Sequence, residues 1–107
     1  MPNFGTINFG IWDQAVLRGG IDLTTLDTKT AEIGYWVGKE HTGNRYASRA
    51  QQLLAAWTFN HLSFTSLITK VAAANVASQR TSERAGFTLV DEAIDRGQLM
   101  LIYELNK

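Results

Sequence analysis

Two groups of polar residues in this chain have types and spacings suited to binding phosphate or transferring a proton. The first is Thr42-Gly43-Asn44-Arg45, which lies between an apolar run ending at Val37 and a helical apolar pattern. A helix N-terminus after a glycine-containing loop presents unpaired N–H groups and a positive dipole end, and both favour an anion. Arg45 adds a full charge. The segment is therefore a candidate phosphate site, although a plain turn with a solvated arginine fits it as well.

The second group lies at the start of a short helical segment. Asn75 and Ser78 are three residues apart, so both side chains project from the first turn of a helix. There they can reach a ligand held between this helix and the preceding strand. The alternative is simple capping, in which Asn75 accepts hydrogen bonds from backbone N–H groups and Ser78 faces water. The residues alone leave both interpretations open.

Composition narrows the class of protein. With 107 residues, 45% hydrophobic and 19% charged, the chain is predicted to form a single domain over 1–107. Ten basic and ten acidic side chains cancel, which argues against a nucleic-acid partner. The absence of cysteine and the presence of only two histidines argue against a metal site. We expect a cytoplasmic protein without a metal, because no membrane span or signal peptide is visible.

The elements that would position these groups follow from periodicity. Apolar and β-branched runs predict strands over 6–12, 16–24 and 31–37, joined as an antiparallel meander. Gly19-Gly20, inside the second run, indicates a bulge or a close backbone approach. Apolar residues at helical spacing then predict a long helix over about 43–60.

The second half continues with a strand over 67–72 and a short helix from the cap Asn75 to Arg84, closed by Gly86. Two further strands are predicted over 87–90 and 99–105. A strand, a crossover helix and another strand imply a parallel pair at the centre of the sheet. The predicted fold class is α+β, a mixed sheet of about six strands with two helices.

From residue 31 onward the order of these pieces resembles the GNAT-superfamily N-acetyltransferases, in particular the branch that acetylates the N-termini of ribosomal proteins. The matching residues are Ala31-Glu32-Ile33-Gly34-Tyr35-Trp36-Val37-Gly38-Lys39-Glu40-His41, then Tyr46-Ala47, then Asn75, Ala77, Ser78 and Gly86-Phe87. The resemblance implies a GNAT-like sheet. It also implies that this chain lacks the family's first strand and first two helices, as a truncated, partial domain would.

The resemblance implies transfer of an acetyl group from acetyl-CoA, the cosubstrate, to a primary amine of a protein N-terminus or a small molecule. The cofactor-binding positions that it implies are Tyr35, Trp36, Val37, Thr42, Gly43, Asn44, Arg45, Tyr46, Ala47, Asn75 and Ser78. Ser78 would protonate the departing thiolate, and a backbone N–H near Val37 would face the developing oxyanion. Glu32 is the candidate general base, with an exposed strand carboxylate as the alternative.

Two residues depart from the family's phosphate signature, Gln/Arg-x-x-Gly-x-Gly/Ala. Thr42 stands in place of the Gln or Arg, and Arg45 stands in place of the central glycine. The alternative function is therefore a catalytically impaired remnant that binds CoA or a protein partner.

A homodimer is also expected. The resemblance implies that the two helices lie on opposite faces of the sheet and that the face with the shorter helix lacks cover. Phe9, Trp12, Tyr35 and Trp36 would then be exposed. Because large apolar patches are rare on monomers, a second copy is the expected cover.

Overall fold

The protein is described by a computed structural model over residues 5–38 and 45–107. The sequence folds into six strands and two helices in these described ranges. They are β1 (Thr6–Asp13), β2 (Val16–Thr25), β3 (Thr30–Val37), α1 (Tyr46–His61), β4 (Ser66–Ala72), α2 (Val76–Arg84), β5 (Thr88–Asp95) and β6 (Gln98–Asn106). The predicted class, an α+β fold with about six strands and two helices, is confirmed.

All six strands join one sheet in the order β1-β2-β3-β4-β6-β5. The central β3–β4 pair is parallel and the other four pairs are antiparallel, as predicted. α1 makes the crossover between the two parallel strands, since a parallel pair cannot be joined by a tight turn.

Gly19 makes the close backbone approach predicted for the glycine pair, and the bulge lies one residue earlier, at Arg18. Ile11 lies opposite Gly19 and Trp12 opposite Leu17, so Arg18 is an extra residue on β2 and forms a bulge. A Cβ placed on Gly19 would collide with the main-chain carbonyl oxygen of Trp36. The β2 backbone therefore approaches β3 closely at the end of β3 that carries the predicted site.

The expectation that the helices lie on opposite faces is wrong. Gln52 Nε2 on α1 donates a hydrogen bond to the carbonyl of Arg84 on α2 at 3.0 Å, so the helices are neighbours. Both pack on the face that carries the buried residues of the strands. One core results, formed by Ile11, Ile21, Leu23, Ala31, Ile33, Leu54, Ala55, Phe64, Leu67, Val71, Ala85, Phe87 and Tyr103.

The opposite face, here called the open face, is covered by neither helix. Trp12 and Trp36 lie on it and are 65% and 57% exposed, as expected. Phe9 and Tyr35 have the other strand parity and lie on the helix-covered face. Phe9 is still 36% exposed, as expected, so the expectation of exposure is wrong only for Tyr35. Phe9 packs edge-on against Trp57 at a centroid distance of 5.9 Å, and Tyr35 is half-buried.

The end of α2 follows the predicted cap. Gly86 has φ 98°, its N–H donates to the carbonyl of Glu83, and the N–H of Phe87 donates to that of Ser82. This is a Schellman motif, with buried Phe87 as its apolar contact. Phe87 therefore belongs to the cap, and β5 runs from Thr88 to Asp95 rather than over the predicted 87–90.

No helix in the described part of the chain is long and apolar enough to cross a membrane.

The glycine pair allows a test of the close approach between β2 and β3. We expect Gly19→Ala to cost about 1–3 kcal/mol of stability, because the new methyl group meets main-chain atoms that cannot move independently. Gly20→Ala is the matched control, since its Cβ meets only the Trp36 indole, which can rotate away. Urea denaturation of both variants measures the difference; equal losses would contradict this account.

Candidate functional site

The candidate site begins where the two parallel strands separate. β3 pairs with β4 only from Thr30 to Glu32, opposite Ser66 to Ile68. The carbonyl of Lys29 accepts hydrogen bonds from Thr65 and Ser66, so odd-numbered residues of β3 direct their backbone groups toward β4. Beyond Glu32 these are the groups of Ile33, Tyr35 and Val37, and no β4 residue in the described ranges pairs with them. A gap with backbone donors and acceptors results.

A cavity of about 730 Å³ lies beside this gap on the helix-covered face. Its lining combines the end of β3, the start of α1 and one side of α2. The lining residues are Tyr35, Trp36, Val37, Arg45, Tyr46, Ala47, Asn75, Ala77, Ser78, Arg80, Thr81 and Arg84. Eight of the predicted site residues are thus brought together, although they come from three separate segments.

Thr42, Gly43 and Asn44 lie outside the described residues. The part of the predicted phosphate segment that is described begins at Arg45, which immediately precedes α1 and has φ 61° and ψ 20°. This left-handed conformation is easy for glycine and strained for arginine. The conformation gives a physical reason why a glycine at this position would be favoured. The first-turn N–H groups of α1 lie at the cavity wall with Arg45, Tyr46 and Ala47.

The hydroxyl of Tyr46 holds the start of α1 against the first hairpin. It donates to Asp13 Oδ2 at 3.0 Å, and this hydrogen bond to the carboxylate raises the pKa of Tyr46. The guanidinium of Arg18 lies 5.7 Å from the centre of the same ring. Tyr46 therefore has a clear positioning role, whatever its ring contacts in the cavity.

Asn75 caps α2 as predicted. Its Oδ1 accepts a hydrogen bond from the Ser78 N–H at 3.1 Å. The Ser78 side chain is half-buried and its residue lines the cavity. Capping and exposure to a ligand are therefore compatible here, because the capped end of α2 is itself part of the cavity wall.

Three lining features escaped the sequence reasoning. Arg80 and Arg84 are one helical turn apart on α2 and bring two more positive charges to the cavity. Their i, i+4 spacing was a usable signal. Tyr35 Oη is buried with no hydrogen-bond partner in the described part of the chain. An unpaired buried hydroxyl is costly, so a ligand that reaches it would gain a hydrogen bond.

Glu32, the candidate base, is separated from this cavity. It has the strand parity of Gly34 and Trp36, so its side chain lies on the open face, and it is absent from the cavity lining. Glu32 Oε1 lies 3.8 Å from Lys70 Nζ on β4. Glu32 and Ile68 form the last pair between β3 and β4, and Lys70 lies two residues beyond Ile68. The ion pair therefore links the two strands where they begin to separate. The structure therefore brings Ser78 to the cavity but places Glu32 across the sheet from it.

The fold and the cavity define an α+β domain whose two central parallel strands separate beside a cavity and a helix N-terminus. The family model described as "Acetyltransferase (GNAT) domain" matches residues 3–88. The chain therefore belongs to the GNAT acetyltransferase family.

Individual relatives agree with this. The curated protein named "Putative ribosomal N-acetyltransferase YdaF", from Bacillus subtilis (strain 168), is 33% identical over 91 residues, covering 83% of this chain. A crystal structure named "Probable acetyltransferase" superposes with a TM-score of 0.88 at 30% identity over 97% of this chain. The microcin C7 self-immunity acetyltransferase MccE, in complex with acetyl-CoA and AMP, has a TM-score of 0.88 at 24% identity over 98% of the chain and shows the shared fold. The chain spans 50% of the curated relative and 63% of each crystal structure.

Substitutions at Asn75 and Ser78, the two polar residues at the start of α2, should differ in their effect on stability. Asn75→Ala is expected to cost about 1 kcal/mol, because the Ser78 N–H loses its acceptor. Ser78→Ala should leave the melting temperature nearly unchanged, since only the Ser78 backbone takes part in the cap. Thermal denaturation of both variants tests this; a large loss for Ser78→Ala would reveal a structural role for its hydroxyl.

Proposed function

We propose that this chain binds acetyl-CoA and transfers its acetyl group to a primary amine. The observation that carries the proposal is the cavity at the gap between β3 and β4, where a helix N-terminus, three arginines and exposed strand backbone meet. Family membership supplies the reaction class. Because the chain spans only part of its relatives, activity and substrate are proposed for it rather than taken from them.

The residues present fit the chemistry of the cofactor. The pantetheine arm carries amide groups that can pair, like an added strand, with the backbone groups of Tyr35 and Val37. The first turn of α1 and Arg45 favour the pyrophosphate. Arg80 and Arg84 provide further positive charge for phosphate on the other wall of the cavity. The unpaired hydroxyl of Tyr35 offers one more hydrogen bond.

Acetyl-CoA supplies an activated thioester, and the chain's own groups would bind and polarise it. In the balanced reaction the amine nitrogen bonds to the acetyl carbon, the carbon–sulfur bond breaks, the thiolate takes up a proton, and the amine loses one. A backbone N–H at Val37 is proposed to stabilise the carbonyl oxygen as it gains negative charge. Ser78 is proposed as proton donor to sulfur. Glu32 remains the proposed proton acceptor on the open face.

Within this reaction, the name of the B. subtilis relative, a ribosomal N-acetyltransferase, favours a ribosomal acceptor. The resemblance to the branch that acetylates ribosomal-protein N-termini favours a protein N-terminus on that acceptor. We adopt that as the finer proposal. The cytoplasmic location expected from the sequence is consistent with acetylation of such a substrate and stays a prediction.

Substitutions at Arg45 test how its side chain affects the affinity for the phosphate end of acetyl-CoA. In calorimetric titrations with acetyl-CoA we expect heat of binding and a rise in melting temperature for the natural chain. Arg45→Gly should gain up to about 1 kcal/mol of stability, because it relieves the left-handed strain. Its acetyl-CoA affinity should rise if the side chain crowds the phosphate and fall if the charge dominates.

Arg45→Asn is the matched control, since asparagine tolerates the left-handed conformation but carries no charge. Release of CoA thiol in the presence of a free-amine peptide then measures transfer, which Ser78→Ala should slow. Absence of heat and of stabilisation at millimolar acetyl-CoA would refute the proposal. Binding without transfer to any amine would instead identify the impaired CoA-binding remnant.

We also propose that a second copy pairs with the outer edge of β1. The carbonyl of Gly5 accepts from the Thr25 N–H, so alternation directs the backbone groups of Thr6, Asn8 and Gly10 away from β2. β1 ends the sheet within the described residues. Such an edge can pair antiparallel with its own copy about a two-fold axis.

An apolar groove continues this edge on the helix-covered face. It has a volume of about 590 Å³ and lies between β1 and α1, with Leu53 69% exposed and Trp57 39% exposed on its helical side. Two-fold pairing of β1 would bring the grooves of both copies together. The apolar side chains of each would then cover those of the other.

The dimer is tested by sedimentation equilibrium. Asn8→Pro should shift the chain toward an 11.9 kDa monomer, because proline removes an outward N–H that the second copy would need. The variant should still fold, since an edge strand tolerates proline where its N–H faces away from the sheet. Asn8→Ser keeps the N–H and should leave the association unchanged. A natural chain that sediments as a monomer at micromolar concentration, with a cooperative melt, would overturn this proposal.

A further inference from the structure

We infer that the open face carries a recognition site for a primary ammonium group, formed by Asp22 on β2 and Trp36 on β3. This inference rests on the proposed function, because the ammonium would belong to the amine acceptor before it reacts. The occupant is the charged head of an extended chain, such as an unmodified peptide N-terminus.

The floor of the site is made of glycine. Gly10 on β1 and Gly20 on β2 are direct cross-strand partners, and Trp36 lies opposite Gly20 on β3. A Cβ on Gly10 would collide with Nε1 of the Trp12 indole, and a Cβ on Gly20 with that of Trp36. Both indoles therefore lie down over the glycine pair, yet both remain more than half exposed. They form a broad aromatic shelf that faces solvent.

The carboxylate of Asp22 lies beside this shelf. Asp22 is two residues along β2 from Gly20 on the same face, and both carboxylate oxygens lie 3.0 Å from where a Cβ of Gly34 would be. Its direct cross-strand neighbours are Asn8 and Gly34, which carry no charge. No cation in the described ranges pairs with Asp22. Glu32, two residues along β3 from Gly34, is instead held by Lys70 at 3.8 Å.

An exposed aromatic face next to an unpaired carboxylate is complementary to an ammonium ion. The ring attracts the cation through its quadrupole, and the carboxylate accepts charge-assisted hydrogen bonds from its N–H groups. Among the carboxylates of this region, Asp22 is the one whose charge is not already balanced. Charge complementarity thus selects a cation over a neutral or acidic group.

The position of the shelf connects it to the reaction. Trp36 lies on the open face and is also part of the lining of the cofactor cavity. It alternates with Tyr35 and Val37, whose backbone groups face the gap between β3 and β4. An amine held at Asp22 and Trp36 therefore lies across β3 from the cavity, at the end of the strand where the sheet is split. The flat shelf extending to Trp12 leaves room for the chain that follows the amine.

The test uses a matched pair of peptides, a tetrapeptide amide with a free N-terminus and its N-acetylated twin, added without acetyl-CoA. The chain has three tryptophans. Trp57 lies at the groove on the helix-covered face, which Trp12 also lines, so a peptide in that groove would shift Trp57 together with Trp12. We expect the free-amine peptide to shift the indole N–H NMR signals of Trp12 and Trp36 but not that of Trp57. The acetylated twin should bind about tenfold more weakly, because it cannot pair with Asp22.

Asp22→Asn keeps the side-chain volume and should lower the affinity for the free-amine peptide about tenfold. The affinity for the acetylated twin should not change. Glu92→Gln, an exposed carboxylate on the far edge strand β5, is the control and should have no effect. Trp36→Leu should also lower the affinity for the free-amine peptide, and it provides a second variant if Asp22→Asn folds poorly. Equal binding of the two peptides, or no shift of Trp12 and Trp36 at millimolar peptide, would overturn the inference.

A separate titration of the same protein with acetyl-CoA keeps the two proposals distinguishable. Heat from acetyl-CoA with no peptide binding would leave the cofactor proposal standing and refute the ammonium site. Peptide binding without acetyl-CoA binding would do the reverse.

Discussion

The separation of β3 from β4 after Glu32 is the constraint on which the rest of this structure depends. Three residue pairs hold the parallel strands together, and then the backbone groups of Tyr35 and Val37 lose their β4 partners. Unpaired backbone groups inside a sheet are costly unless something else satisfies them. Here the open stretch adjoins a cavity with a helix N-terminus and three arginines, so an elongated anionic ligand can supply the missing partners.

The close approach of β2 supports this separation from the other side. The Gly38 N–H donates to the Arg18 carbonyl at 2.8 Å, and Gly19 lies against the Trp36 carbonyl. The end of β3 therefore stays paired with β2 after its pairing with β4 has ended. The bulge at Arg18 and the hydrogen bond from Tyr46 to Asp13 then fix α1 over the same region. Rigid support on one side makes the gap a defined feature of the sheet.

Local signals in the sequence predicted the local structure well. The Asn75 side chain supplies the acceptor at the start of α2, and Gly86 has no Cβ and so adopts the positive φ at its end. The β-branched run of β3 predicted its strand within one residue. β5 was underestimated because this edge strand is exposed along its whole length and has a bulge at Val90, so it lacks the alternation that marks a half-buried strand. The side of the sheet on which α2 packs depends on tertiary contacts such as that of Gln52 with Arg84, and no local pattern encodes these.

The candidate site divides in the same way. The residues that line the cavity could be found because the family motif marks their positions, and Arg80 and Arg84 could have been added from helical spacing. Asp22 could not, because its importance comes from what surrounds it. A carboxylate in a polar strand is unremarkable until the strand register places it beside Gly34 and one step from the Trp36 shelf.

Having both helices on one face gives this fold a division of roles between the two sides of the sheet. The helix-covered side contributes positive charge from Arg45, Arg80 and Arg84, whereas the open side contributes the carboxylate of Asp22 and the Glu32–Lys70 ion pair. Formal charge over the whole chain is zero, so this polarity arises from placement alone. An anionic ligand and a cationic one would each be attracted to the side that suits it and excluded from the other. They would meet only where β3 leaves β4, which is also where the backbone groups of Tyr35 and Val37 have no β4 partner.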